Sequence, residues 1–270
     1  MPRTAWITLR HQPPYRADAF AEGFEGLGFK VKMAHPEPQT VRGDDVVVTW
    51  NLNPRYRGAA HEAKRAGAAL IVAENGYVPK ANSSEFYYAL ARDGHNGSGY
   101  WYIGGEDRWT ELGQTIHPWR ADPNGWILIA DQRGIGSEIM KCPRPFIEPL
   151  LPKLDRTFAR HDKKAKVSYR FRPHPGRHKP TTSLEQDFAG ARAVITWASN
   201  VANEALLYGI PTFRVAPYHV NEATLTDLSL LPQPPETDRE AAFRKVAWAQ
   251  WALAEIEDGT AFRFILRDVL

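Results

Sequence analysis

The sequence predicts an α/β protein built as two halves, each a largely parallel sheet covered by helices. Three observations predict it. Short runs of β-branched and aliphatic residues alternate with helical patterns, which implies crossover connections. Several of those runs, such as "DVVVTW" and "AALIVAE", are continuously apolar, as strands buried on both faces must be. The alternation also lapses after residue 75 and restarts at "GWILIADQRGIGS", residues 125–137, so the pattern is laid down twice.

The first half reads in order. Residues 5–9 form a buried strand, and 17–29 a helix ending near Gly28. Strands at 30–34 and 45–50 follow, then a helix at 56–66 closed by Gly67, then a strand at 68–74. Residues 75–124 read as irregular, and their aromatics (Phe86, Tyr87, Tyr88, Tyr100, Trp101, Tyr102) argue against disorder.

The second half opens with a strand at 126–130, a glycine turn, and a helix through about 158 with prolines near its start. A strand at 166–176 sets Val167, Tyr169 and Phe171 on one face and Ser168, Arg170 and Arg172 on the other. A helix at 184–191, a strand at 192–197, a helix at 200–208 and a short strand at 211–216 complete it. The Pro-rich stretch 230–240 leads to a long terminal helix, about 238–258, whose apolar positions (Ala242, Phe243, Val246, Ala247, Trp251, Ala254) recur at three and four residues. The expected division is 1–124, 125–236 and a helical segment 237–270 returning to the first domain.

Composition narrows the function. Of 270 residues, 43% are hydrophobic and 24% charged, as in a soluble globular protein. No run approaches the roughly 18 apolar residues needed to cross a bilayer, and "MPRTAWITLRHQ" lacks a signal-peptide core. A cytoplasmic monomer is expected. The single cysteine, Cys142, excludes an internal disulfide and a cysteine-based metal cluster. The net charge of +3 is too small for a protein that coats nucleic acid. Residues 163–179, however, hold seven Lys or Arg and two His with no acid. Such a stretch suits phosphates, or is simply a solvated edge.

Ligands of open parallel sheets bind beyond the carboxyl ends of the strands, so those ends are where chemistry is sought. In "VITWASNVANEALLYGIP", residues 194–211, a strand runs through Ser199 and Asn200 into a helix carrying one acid, Glu204. The helix start offers donors for a phosphate, and Glu204 suits the paired hydroxyls of a ribose. The plainer alternative is a capping serine and a surface acid. In "QRGIGS", Gly134 and Gly136 let backbone approach a ligand while Arg133 adds charge and Ser137 a hydroxyl. His174, between Pro173 and Pro175, sits in a rigid turn beside Arg172 and offers a phosphate donor, or is only a surface histidine. In the first half, "ARDGHNGSGYW" puts Asp93 and His95 either side of a glycine. That pairing suits acid–base work, or is turn chemistry alone. No Cys set or paired histidines accompany it, so no metal site is expected.

On these residues the second half resembles the donor-binding domain of GT-B glycosyltransferases, which have two Rossmann-like domains facing across a cleft. The resemblance rests on "RAVITWASNVANEALLYGIPTF", an acid in a helix after a small-polar turn and then Gly-x-Pro. It is similar to the capsular-polysaccharide, Kdo-transferase-like group in a strand-end Glu-x-Gly-aromatic (Glu74 to Tyr77) and a His-Pro strand end (His174–Pro175). With "DGHNGSG" and the spacer "GGEDRWTELGQTIHPWR", it also resembles small bacteriophage enzymes that glycosylate hydroxymethylated pyrimidines in DNA.

The resemblance implies a nucleotide-sugar co-substrate, a UDP-hexose such as UDP-glucose, and no tightly bound cofactor. Magnesium is compatible with the residues but not indicated by them. Glu204 would hold the ribose, with Arg133, Gly134, Gly136, Ser137, Arg172, His174, Ser199 and Asn200 around the diphosphate. Asp93 would be the general base, with His95 second, and Asn51, Glu74, Asn96, Tyr100 and Trp101 would meet the acceptor. The second half has no long extra loops for a lipid or polysaccharide. The expected acceptor is therefore double-stranded DNA bearing 5-hydroxymethylcytosine or its uracil counterpart, in the host cytoplasm. Arg55, Arg57, Lys64, Arg65 and Lys80 would contact its phosphates. The alternatives are a surface-glycan glycosyltransferase and a non-catalytic nucleotide-sugar binder.

Overall fold

The computed structural model describes residues 2–12, 14–120, 122–163 and 167–270. In chain order the regular elements begin β1 (Thr4–Ile7), α1 (Ala17–Glu25), β2 (Lys30–Lys32), β3 (Val46–Trp50), α2 (Arg57–Ala66), β4 (Ala69–Asn75), β5 (Tyr87–Arg92) and α3 (Arg108–Leu112). They continue with β6 (Trp126–Ala130), α4 (Leu151–His161), β7 (Tyr169–Arg172), α5 (Leu184–Ala189), β8 (Ala191–Thr196), α6 (Val201–Leu207) and β9 (Thr212–Arg214). The last are α7 (Arg239–Ala247), β10 (Gln250–Ala252), α8 (Leu253–Glu257) and α9 (Thr260–Ile265). The protein is a mixed α/β molecule of two compact units, Met1–Leu112 with Lys245–Leu270, and Gly113–Arg244.

The first unit holds a six-stranded sheet of order β2-β1-β3-β4-β5-β10. Its first four strands run parallel, whereas β5 is antiparallel to β4 and β10 antiparallel to β5. Alternate side chains enter two cores, as the strand period requires. Ala5, Ile7, Val46, Val48, Ile71 and Ala73 meet α1 and the C-terminal segment on one face. Trp6, Val47, Leu70 and Val72 meet Ala59 and Ala63 of α2 on the other. The second unit holds a parallel four-stranded sheet of order β7-β6-β8-β9. Ile127 and Ile129 pack on Leu154 and Phe158 of α4, and Leu128 on Phe188 and Ala205 of the opposite layer.

The structure corrects four expectations. The terminal segment is not one long helix. After α7 the chain pairs Gln250, Trp251 and Ala252 with Ala89, Tyr88 and Tyr87. The buried Gln250 carboxamide accepts from the N–H groups of Tyr77 and Val78 at 2.8 and 2.9 Å and donates to Val78 O at 2.7 Å. That edge pairing outweighs the helical spacing of the apolar residues. The stretch 75–124 is not wholly irregular, for it contains β5, whose Tyr88 and Leu90 join the main core. No helix follows the glycine turn directly. Pro143, Pro145 and Pro149 remove backbone donors, and α4 starts only at Leu151. The strand expected at 166–176 shortens to β7, and Phe171 stands 49% exposed at the sheet edge. Lys166, at its expected start, lies outside the described residues.

Compact packing of the second unit begins at Gly113. His117 and Arg120 donate backbone N–H groups to Leu207 O and Gly209 O, both at 2.8 Å. Arg239 donates to His117 O and lies 3.8 Å from the Trp119 ring centroid. No helix among the described residues is long and apolar enough to cross a membrane.

Candidate functional site

In the second unit four strand-end loops are cross-linked. After β6 the Gln132 side-chain oxygen accepts from Ala198 N at 2.8 Å, tying that loop to the end of β8. The turn beyond it needs glycine twice, with φ 71° at Gly134 and 131° at Gly136. After β7 the N–H of Gly176 donates to His174 Nδ1 at 2.9 Å. This leaves the proton of a neutral ring on Nε2. Burial, and then the neighbouring Arg133 charge, lower the His174 pKa, with Asp131 opposing. Arg177 reaches back to Asp131 at 3.4 Å. After β9 the buried His219 accepts from Asn221 N on Nδ1 at 3.0 Å and lies 3.3 Å from Ser199 O through Nε2. Its proton is therefore on Nε2. Burial depresses its pKa to about 4.

Around these loops lie buried polar atoms with unused hydrogen-bonding capacity. Among the described residues Ser137 Oγ, Asn203 Oδ1 and Asn221 Nδ2 find no partner. Native proteins seldom leave such groups unpaired without a ligand or water. The Asn203 amide also donates to Asn200 Oδ1 at 2.7 Å, so two side chains at the start of α6 are fixed together.

Helix α6 spans seven residues, and its first donors are largely used within the protein. Val201 N meets Ser199 Oγ at 3.4 Å, Ala202 N meets Ser199 O at 3.0 Å, and Asn203 N meets Asn200 O at 2.9 Å. An anion here would be met by side chains more than by the free helix tip read from the sequence. Glu204 is partly buried, and burial raises its carboxyl pKa against the lowering pull of Arg172. Arg172 itself is committed elsewhere. It pairs with the buried Asp187 and donates to Thr182 O at 3.0 Å, pinning α5 to β7.

In the first unit the expected acid–base pair is not assembled. Asp93 N donates to Leu70 O at 2.9 Å, so the chain leaves the sheet where the parallel strands begin. Asp93 is exposed with φ 62°, and His95 is buried. Among the described residues no hydrogen bond joins their side chains, and His95 Nδ1 is unpartnered. Burial lowers the His95 pKa to about 4, so its ring is neutral at pH 7.

Glu74 lies at the carboxyl end of β4. Burial pushes its carboxyl up to about 8, and it stands within electrostatic reach of the Tyr77 hydroxyl. That hydroxyl oxygen accepts from Asn96 N at 3.1 Å. Glu74, Tyr77 and Asn96 thus form one neighbourhood. Asn51 (φ 43°) accepts from Asn53 Nδ2 at 3.0 Å in a tight turn after β3. Trp101 packs on the core and donates to Lys245 O at 3.3 Å, so its indole edge is used structurally. Tyr100 is 50% exposed. Of the expected phosphate contacts, Arg65 pairs with Glu62 and Lys80 with Glu85.

Among the described residues no three His, Cys, Asp or Glu side chains gather to hold a metal ion. The sequence reading missed Gln132, His219 and Asn221. The signal is their position, since His219 and Asn221 follow the strand at 211–216.

The fold and these strand ends define an α/β protein with a polar face at the carboxyl ends of a parallel sheet. No protein-family model and no curated protein sequence matches the chain. Two solved structures from Thermosulfurimonas dismutans share its fold. Against the KpsC beta Kdo 2,7 transferase the TM-score is 0.57 at 13% identity, covering 97% of this chain and 99% of that one. Against the KpsC beta Kdo 2,4 transferase it is 0.55 at 12% identity, covering 92% and 90%.

Proposed function

We propose that the chain is a glycosyltransferase of the GT-B class that moves a sugar from a nucleotide-activated donor to a hydroxyl of a surface glycan. The observation that carries the reading is the cross-linked polar face of the second unit. There Gln132 is tied to Ala198, His219 to Ser199 and Arg177 to Asp131, with unpaired buried atoms on Ser137, Asn203 and Asn221. The fold shared with two Kdo transferases supports it.

In this reading Arg133 and the His174 Nε2–H meet the phosphate, where negative charge grows as the glycosidic bond breaks. Glu204 accepts from ribose hydroxyls, and the backbone at Gly134 and Gly136 allows close approach. The acceptor hydroxyl needs a base. We assign this role to Glu74 in preference to Asp93, because burial raises its carboxyl pKa to about 8 and it stands at a strand's carboxyl end. A glycan acceptor is preferred to hydroxymethylated DNA. The solved neighbours are Kdo transferases by name, and two of the five basic residues expected on DNA are paired to acids.

The test is to incubate the protein with uridine-, cytidine- and guanosine-linked sugars, offering acidic oligosaccharides or hydroxymethylcytosine-containing DNA. Mass spectrometry should then find the added sugar on the oligosaccharide. Transfer to the modified DNA alone would restore the DNA reading, and no transfer from any donor would remove the enzymatic one.

A further inference from the structure

A second polar concavity lies wholly within the first unit, beyond the carboxyl ends of β1 and β2. It has a volume of about 540 Å3 and is lined by Arg10, His11, Gln12, Met33, His35 and Arg55, among others. No lining residue is acidic, and among the described residues neither Arg10 nor Arg55 forms an ion pair.

The basic groups converge instead of scattering. Arg10 and Arg55 both act on the phenol of buried Tyr56, and Arg55 also lowers the His35 pKa, after burial. Aromatic rings contact Arg10 and His35. His35 stacks on Tyr56 with centroids 5.8 Å apart and planes 15° apart, and the Arg10 guanidinium lies 5.7 Å from the Tyr15 ring centroid. Tyr15 in turn packs edge-on against Trp50 at 4.8 Å. Two guanidiniums kept near one ring without a counter-charge repel each other, and a bound oxyanion relieves that repulsion. Arginine's fork suits a carboxylate or phosphate in two-point contact. Because rings already contact Arg10 and His35, less further ordering of these two side chains opposes binding.

From this geometry we infer that the cavity lined by Arg10, His11, Gln12, His35 and Arg55 binds a small oxyanion, a carboxylate or phosphate, carried by the sugar acceptor. The occupant is a compact acidic sugar and not a nucleic-acid strand. A single concavity of this volume encloses one or two sugar rings, whereas a duplex requires a row of phosphate contacts. The assignment to the acceptor rests on the glycosyltransferase reading. The anion site itself does not.

Isothermal titration of the full chain, without any donor, tests it. The probes are glucuronate, glucose 6-phosphate, glucose and a 20-base-pair duplex. Glucuronate or glucose 6-phosphate should bind while glucose does not, and the one that binds identifies the preferred oxyanion. The Arg10→Gln/Arg55→Gln double variant should weaken that binding at least tenfold. The Gln12→Glu variant, which adds a negative charge to the cavity, should do the same and covers a folding defect in the first. The Arg65→Gln/Lys80→Gln variant should bind as the natural chain does. Equal binding of glucose, no binding of either anion, or unchanged affinity in both cavity variants would overturn the site. Duplex binding lost in the cavity variants would overturn the acidic-sugar occupant. Failure of the sugar-transfer assay with anion binding intact would sink only the link to an acceptor.

Discussion

In the proposed reaction the base of the first unit is the Glu74 carboxyl. Its titration near 8 gives a testable profile. As a general base it must lose its proton, so kcat/KM should rise with pH and level off above about 8. Glu74→Gln should remove that limb and lower kcat by about 100-fold or more, whereas Asp93→Asn should leave it. A limb that survives in Glu74→Gln assigns the base elsewhere.

His219 makes a different prediction. Its folded pKa of about 4 lies below the usual 6.5, so between these values the unfolded chain binds a proton that the native protein refuses. Stability through this residue is full at neutral pH and declines as pH falls through 6.5 towards 4. From pH 7 to 5 the loss is about 2 kcal/mol. Denaturant titrations at both pH values should show that His219→Gln flattens the dependence by this amount. An unchanged slope would mean that the ring is not held neutral. The sequence could not reveal this. Nothing in "APYHVNEA" distinguishes a buried histidine from an exposed one, because its burial depends on loops that meet only after folding. That Ser199 and His174 stand at strand ends was legible because they follow recognisable strands. That the Trp101 indole N–H is spent on Lys245 O was not legible, because this partner is far along the chain.

At the scale of elements, local pattern was enough wherever one strand or helix decides its own state. The apolar strands at 46–50, 69–75, 126–130 and 191–196 announce themselves by continuous burial. It failed where the partner was remote. Trp251 fits a helical stripe equally well, and only its pairing with Tyr88 makes it part of a strand. The C-terminal elements are also locked by contacts that no window of sequence contains. Arg108 of α3 forms a two-point pair with Glu255 of α8 at 2.6 and 2.8 Å and lies 4.4 Å from the Trp251 ring centroid.

Helix α1 crosses α8 at Gly23, where an added Cβ would stand 2.0 Å from Ile256 O and 2.8 Å from the Phe262 ring. Backbone cannot yield as a flexible side chain does. Gly23→Ala should therefore destabilise the protein by roughly 1–3 kcal/mol, although alanine is the better helix former. A lowered urea midpoint with an unchanged m-value would confirm it, and a stabilised variant would show that the helices separate freely.

At the scale of the whole molecule, composition and alternation predicted two parallel-sheet bodies. The structure has them, with an antiparallel extension of β5 and β10 on the first. The fold is shared with two Kdo transferases over nearly their full lengths at 12–13% identity. Architecture alone assigns no reaction. The functional reading therefore depends on whether the second unit's strand-end loops hold a nucleotide.

The most direct measurement is backbone amide hydrogen exchange of the full chain with and without saturating nucleotide sugars. Protection should appear at 131–137, 173–177, 197–204 and 215–221. Bound nucleotide that protects other segments and leaves these four unchanged would contradict the account.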